Sequence, residues 1–202
     1  MKISRALIGL SALVGLLALV AASGGLFWGG GEGPFTVTSL RGQPVEMFGQ
    51  GLYQYDTLFG GAGARGQDAV VLLLGLPLLA VSLWHYARGS LRGGLLLLGT
   101  LGYFLYTYAS TALGAVAYNP LFLLYVVLFA ASFYAFLLAF TRFDPDELGA
   151  SFSAHMPRRG PGLFMRGSGL VTLVVWAGPV IAAQMAGQIP ERLDTYTTLQ
   201  IG

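Results

Sequence analysis

The chain has 202 residues, of which 55% are apolar and only 10% are charged, against about 25% charged residues in an ordinary soluble domain. A mean hydropathy of +0.68 and apolar runs near the ~20 residues that cross a bilayer indicate an all-α, polytopic transmembrane bundle, a single domain over residues 1–202. The net charge of +2 is too small to indicate a nucleic-acid partner. The lack of cysteine excludes disulfides, thiol chemistry and Cys-based metal or Fe–S sites.

Apolar runs predict about five spans, at about residues 6–28, 69–87, 95–113, 121–141 and 169–186. The first run contains "VAAS", so it is either a retained helix or a cleavable signal peptide. Because the run continues to Trp28, we predict a retained helix. Pro77 and Pro179 lie inside the second and fifth spans, where a proline bends the helix or serves as a transporter hinge.

Basic residues divide unevenly between the two sides of this bundle. One side has Lys2, Arg5, Arg88, Arg92, Arg142, Arg158, Arg159 and Arg166, and the other has Arg41, Arg65 and Arg192. Basic loops stay in the cytoplasm, which predicts a cytoplasmic N-terminus and an extracytoplasmic loop at residues 29–68. The segment "TYTTL" near the end reads like the approach to another span, so Gly202 is either a natural terminus or a point at which the chain is cropped.

The loop 29–68 is the longest connection and is rich in glycine, tyrosine and glutamine. Asp68 is predicted at the N-terminus of the second span, where the helix dipole favours a negative charge. We expect the loop to fold over the ends of the third and fourth spans. Tyr55 or Asp56 should then lie within hydrogen-bonding distance of Tyr106, Ser110, Tyr118 or Asn119.

The third span carries small and hydroxyl-bearing residues on one helical face: Gly99, Tyr103, Tyr106, Ser110 and Gly114. Such a face is typical of a seam between helices, and the alternative is a lined cavity. Tyr108 and Tyr118 are predicted in the outer aromatic belt. Asn119 is predicted to cap the fourth span, with Pro120 in its first turn.

The fourth span carries an aromatic stripe of Phe122, Tyr125, Phe129, Ser132, Phe136 and Phe140. This stripe is a packing surface or, alternatively, an apolar wall for a bound lipid, quinone or carotenoid. His85 and His155 are too far apart in sequence for a haem or metal pair, and no ionisable residue is expected inside the membrane.

The segments "SLRGQ", "GQGLYQYDT", "GQD", "GTLGYFLYTYAS", "YNPLFLLYV" and "TYTTL" resemble a family of uncharacterised bacterial multi-pass membrane proteins. The resemblance runs from about Ser39 to the end, and "YTYAS…YNPLF" is its most distinctive part. It implies a multi-pass protein of the bacterial inner membrane and further helices after "TYTTL". It implies no activity.

Neither a nucleophile–base pair, a metal cluster nor a phosphate-binding loop is evident in the sequence, which favours a non-enzymatic binding or accessory subunit of a larger complex. Its expected partners are membrane lipids and other membrane subunits or a second copy. The alternatives are a small transporter or permease and, third, a lipid-modifying enzyme with Asp56 and Asp68 as acids. The candidate ligand-binding residues are Tyr53, Tyr55, Asp56, Asp68, Tyr103, Tyr106, Ser110 and Asn119.

Overall fold

The computed structural model describes residues 3–39, 42, 44–114, 118–144, 148, 149, 151 and 159–188. Its long helices are α1 (Arg5–Phe27), α2 (Leu58–Ala87), α3 (Leu91–Gly114), α4 (Phe122–Phe140) and α5 (Arg159–Met185). All five are long and apolar enough to cross a membrane, which confirms the predicted helical architecture. Two of them begin ten or more residues earlier than expected, α2 at Leu58 rather than residue 69 and α5 at Arg159 rather than residue 169.

The chain forms two compact units, the first holding α1 to α4 and the second holding α5. In the first unit each helix packs against two neighbours, in the cyclic order α1–α2–α3–α4. Small residues line the buried faces of α1 and α4 and let these two backbones approach: Ser11, Ala18, Ala22 and Gly25 on α1, and Ala131, Ser132, Ala135 and Ala139 on α4. In the second unit, none of the described residues of α5 is buried.

Helix α2 is interrupted by a wider turn. It is α-helical over Leu58–Val70, π-helical over Val71–Gly75 and α-helical again over Leu76–Ala87. The Leu76 N–H donates to the carbonyl of Val71, five residues back. Pro77 has no N–H to continue the ordinary ladder, so the wider turn accommodates the proline predicted to disturb this span. The predictions for His155 and "TYTTL" lie outside the described residues.

The predicted seam on α3 is wrong. Tyr106 is 72% exposed, and Gly99, Ser110 and Gly114 are exposed as well. The buried face is the one formed by Leu97, Leu101, Phe104 and Tyr108. Tyr108, predicted in the aromatic belt, is only 2% exposed. On a helix that is apolar all round, helical spacing does not distinguish the face of Tyr106 from the face of Tyr108. The face with the larger side chains packs in the core.

Four of the described arginines lie at one end of the first unit. Near this end the Tyr86 hydroxyl accepts a hydrogen bond from the Ser4 N–H at 3.0 Å, and Arg142 Nη2 lies 3.4 Å from Ser4 Oγ. Arg5, Arg88 and Arg92 adjoin these contacts in sequence or across the short α2–α3 turn. We call this the arginine end. The opposite end, which carries residues 29–57, is called the loop end.

The described residues of the connection at the loop end contain a hairpin that the sequence did not predict. Strands β1 (Phe35–Thr38) and β2 (Pro44–Met47) pair antiparallel, with Phe35 opposite Met47. Gly49 follows with φ of 67°, a conformation that favours glycine, and its carbonyl accepts from Gly33 N–H at 3.1 Å. The chain then returns through a single 3₁₀ turn at Gly51–Tyr53 to the start of α2.

Candidate functional site

The loop is fastened to the start of α4. Asn119 Nδ2 donates to the carbonyl of Leu52 at 3.2 Å, and Asn119 Oδ1 accepts from the Leu121 N–H at 2.9 Å. The predicted cap is wrong, because α4 begins at Phe122 with Leu121 as its N-cap residue, and Pro120 lies before the first turn. Asn119 instead joins the approach to the helix to the loop. The rings of Tyr55 and Tyr118 pack with centroids 5.3 Å apart. The loop therefore folds over the end of α4 as expected.

A buried carboxyl group lies beneath this loop. Asp68 is 7% exposed, and its Oδ2 accepts a hydrogen bond from the Tyr53 hydroxyl at 2.6 Å. The Tyr125 hydroxyl lies 3.3 Å from the Tyr53 hydroxyl. Since Tyr53 has one proton and gives it to Asp68, Tyr125 is the donor in the second contact. The result is a chain of hydroxyl donors from α4 through the loop to α2.

The Tyr53 phenol is suited to act as a permanent donor. Burial raises its pKa well above the ordinary value, and the neighbouring Tyr125 and Asp68 raise it further. A phenol that keeps its proton is a donor to the Asp68 carboxylate. The Tyr53–Asp68 contact is therefore a structural pair.

The position of Asp68 corrects the sequence-based account of it. Because α2 begins at Leu58 with Thr57 Oγ1 accepting from Gly60 N–H at 3.1 Å, Asp68 lies ten residues inside the helix. Helix-dipole stabilisation acts within the first turn and does not explain a carboxylate this far in. The carboxyl sits instead against Gly25 of α1, where a side chain would collide with it.

The glycine at position 25 gives the carboxyl its space. A Cβ added there would lie 2.6 Å from Asp68 Cγ and 2.7 Å from the Tyr53 hydroxyl. Arg65 lies on the same helix as Asp68, and its Nη2 donates to the carbonyl of Leu26 at 3.2 Å, near the end of α1. This contact satisfies a carbonyl at a helix C-terminus, where positive charge is favoured.

A cavity of about 280 Å³ opens between the first part of α2 and the last part of α3. Its floor consists of buried side chains: Tyr53, Asp68, Thr107, Tyr108 and Tyr125. Its rim consists of exposed residues: Phe59, Gly60, Gly63, Ser110 and Gly114. Asp56, Ala64, Gln67 and Thr111 complete the lining. Three rim positions are glycines, so little side-chain bulk blocks the entrance.

Two floor residues have an unmet hydrogen-bonding requirement. The hydroxyls of Thr107 and Tyr108 are buried and find no hydrogen-bond partner among the residues that the structure describes. An unsatisfied buried hydroxyl costs about 1–3 kcal/mol, and such groups call for an explanation such as a ligand. Tyr108 lines the cavity, so a molecule bound there is a suitable partner.

Four of the predicted ligand-binding residues lie around this one cavity: Tyr53, Asp56, Asp68 and Ser110. The structure thus brings together residues from the loop, α2 and α3. Their role in binding stays a prediction.

The other four predicted residues lie elsewhere. Asn119 and Tyr55 hold the loop against the approach to α4, as described above. Tyr103 packs beside Gly75, where an added Cβ would lie 3.0 Å from its Cε1. Tyr106 is exposed on the outside of α3.

Sequence reasoning misses three residues of the site. Tyr108 and Tyr125 are predicted in an aromatic belt and an aromatic stripe, and Gly25 falls in what the sequence presents as a plain apolar helix. Leu97, Leu101, Phe104 and Tyr108 share one face of α3 at helical spacing, and only the larger size of these side chains distinguishes this face from that of Tyr106.

Fold and site together define a helical protein with five helices long and apolar enough to span a membrane, and with a cavity at the loop end that contains tyrosines and the Asp68 carboxyl. Comparison with known proteins adds nothing to this class, because no protein-family model, curated protein or solved structure matches the chain.

Proposed function

We propose that this chain is a non-enzymatic, multi-pass protein of the bacterial inner membrane that binds a small ligand at the loop end. In this proposal it acts as a binding or accessory subunit of a larger membrane complex, with the loop end extracytoplasmic. The observation that carries the proposal is the buried Tyr108 hydroxyl, which no described residue pairs, on the floor of a cavity that also contains the buried Asp68 carboxyl.

The distribution of arginines supports this orientation. Within the first unit, Arg5, Arg88, Arg92 and Arg142 belong to the arginine end, whereas Arg65 is near the loop end. Since positively charged segments are retained in the cytoplasm, the arginine end is the cytoplasmic one in this proposal. The cavity then faces the extracytoplasmic side.

The size of the cavity supports a small ligand. At about 280 Å³ it lies at the lower limit of ligand pockets, which span roughly 300–1,000 Å³. A long quinone or a carotenoid needs more room than this, and the polar floor does not suit either. A compact polar molecule, or the headgroup of a membrane lipid, fits both the volume and the hydroxyl and carboxyl groups.

The second unit supports the role as a subunit. Helix α5 is apolar, and none of its described residues is buried. Membrane lipids, other membrane subunits or a second copy of the chain would cover this surface.

A transporter or permease is the second candidate, and the wide turn of α2 favours it. The π-helical residues Val71–Gly75 begin three positions after Asp68. Such turns are frequent at functional sites and provide a point at which a helix bends. A hinge beside the ligand would let the cavity open to either side of the membrane in turn.

A single cysteine in the cavity tests the proposal, because the natural chain has none. Ser110→Cys, on the exposed rim, should react with a membrane-impermeant maleimide added outside intact cells. Thiol chemistry requires the thiolate and therefore water, which a cavity supplies and lipid does not. The measurement is the fraction of the variant labelled from each side.

The matched control is Val127→Cys on α4, which is 50% exposed but does not line the cavity. It should stay unlabelled because lipid covers it. Labelling of the Ser110→Cys variant from the cytoplasmic side alone, or labelling of neither variant, would contradict the proposal. Labelling of the Ser110→Cys variant from both sides would favour the transporter.

A further inference from the structure

The described lining of the cavity contains acidic and aromatic side chains but no basic ones. It contains the two carboxyl groups of Asp56 and Asp68, and none of the described lining residues is basic. It also contains the aromatic rings of Tyr53, Tyr108, Tyr125 and Phe59. The nearest cation described above, Arg65, directs its Nη2 to the Leu26 carbonyl on α1. Aromatic rings and acidic side chains therefore line the same space.

We propose that the cavity binds a small molecule or headgroup that carries a positively charged nitrogen, an organic ammonium. This inference rests on the proposed function, in which the cavity is a ligand site. A carboxylate attracts the charge, and the faces of tyrosine and phenylalanine rings attract cations through their quadrupoles. The Tyr108 hydroxyl offers a further oxygen to an N–H or O–H group of the same ligand.

The same lining argues against a bare metal ion. Calcium takes six to eight oxygen ligands, usually from several carboxylates. No group of three or more His, Cys, Asp or Glu side chains suitable for a metal occurs in the described part of the chain. A hard metal ion takes oxygen ligands, whereas aromatic rings suit an alkylated nitrogen.

The entrance of the cavity is accessible to an organic ammonium from two sources, the water phase and the membrane. The rim of Gly60, Gly63 and Gly114 leaves a gap between α2 and α3. A free amine can enter the gap from water. An ammonium headgroup of a membrane lipid can enter it from the side.

The test uses the purified full chain in phosphatidylglycerol nanodiscs, with isothermal titration calorimetry. The probe is choline, and the matched neutral probe is 3,3-dimethylbutan-1-ol, in which carbon replaces the charged nitrogen. Choline should bind at least about tenfold more tightly, a factor that corresponds to about 1.4 kcal/mol. Equal affinity for the two probes, or no binding of choline, would overturn the inference.

Two variants place the binding at the cavity. Asp68→Asn keeps an acceptor for Tyr53 and removes the charge, so it should weaken choline binding by at least about tenfold. Glu46→Gln removes an exposed carboxyl of β2 outside the cavity and should leave the affinity unchanged. Unchanged binding in a folded Asp68→Asn variant would contradict the inference. Should that variant not fold, the two probes on the natural chain decide alone.

A change of lipid separates the two sources. In phosphatidylcholine nanodiscs, loss of the choline signal would assign the site to a lipid headgroup, and an unchanged signal would assign it to a free molecule. Both results support an ammonium site. If the Ser110→Cys variant is labelled from outside but choline does not bind, the ammonium inference fails while the proposed function stands.

Discussion

Replacing Gly25 by alanine is expected to destabilise the first unit by about 3 kcal/mol or more, the combined effect of overpacking and a lost buried hydrogen bond. The added methyl group would lie 2.6 Å from Asp68 Cγ and 2.7 Å from the Tyr53 hydroxyl, so the two cannot keep their contact. The Asp68 carboxyl is buried and held by the Tyr53 hydroxyl, so a shift away from the methyl group would break that contact. Thermal unfolding in detergent, followed by circular dichroism, measures the change.

The control for this variant is Gly9→Ala on the same helix. An added Cβ at Gly9 meets nothing within 4 Å. Alanine favours the helix there by up to about 1 kcal/mol, so the unfolding temperature should stay the same or rise. Equal behaviour of the two variants would mean that α1 does not lie against Asp68.

Replacing Tyr53 by phenylalanine should cost about 2–3 kcal/mol, because it leaves a buried carboxyl without its donor. The ring stays in place, so the packing of the loop changes little. The loss would come from the 2.6 Å hydrogen bond to Asp68 Oδ2. The same unfolding measurement, on the full chain in detergent, reports it.

Two further variants separate this bond from general damage. Tyr125→Phe removes the more distant hydroxyl, 3.3 Å from that of Tyr53, and should cost less. In the double variant Tyr53→Phe/Asp68→Asn, the cost should be smaller than the sum of the single costs, because the two groups act on each other. Additive costs would show that Tyr53 and Asp68 do not interact.

The helices were predictable from the sequence because their apolar runs are long. A run of about 20 apolar residues has few alternatives to a transmembrane helix. Each of the five runs corresponds to a helix that is long and apolar enough to span a membrane. Loop residues such as Leu52 and Tyr53 were also expected to fold onto the bundle, and both are buried.

The start of α2 was missed because its composition resembles a loop. The segment from Leu58 to Gln67 contains four glycines, and glycine costs about 1 kcal/mol per residue in a helix relative to alanine. Packing offsets this cost, since the glycines give space to neighbours: Gly61 receives the ring of Phe48. For this reason Asp68 was predicted at the N-terminus of the helix, although it lies inside it.

The face of α3 that packs was missed for a different reason. Polar and small residues suggested the face of Tyr103, Tyr106 and Ser110. The bundle buries a different face of α3, on which Phe104 and Tyr108 fill the core. Of these three residues, Ser110 lines the cavity, from its exposed rim.

The central claim is that a cavity beneath the loop, open to the extracytoplasmic side, holds a cationic ligand. Protection of the introduced thiol tests it most directly: the Ser110→Cys variant is labelled from outside intact cells with the impermeant maleimide, with and without choline. At choline concentrations ten times the dissociation constant, labelling should slow by on the order of tenfold, as one-site occupancy requires. In the Ser110→Cys/Asp68→Asn double variant choline should give no protection. A labelling rate that choline leaves unchanged in the Ser110→Cys single variant would contradict the account.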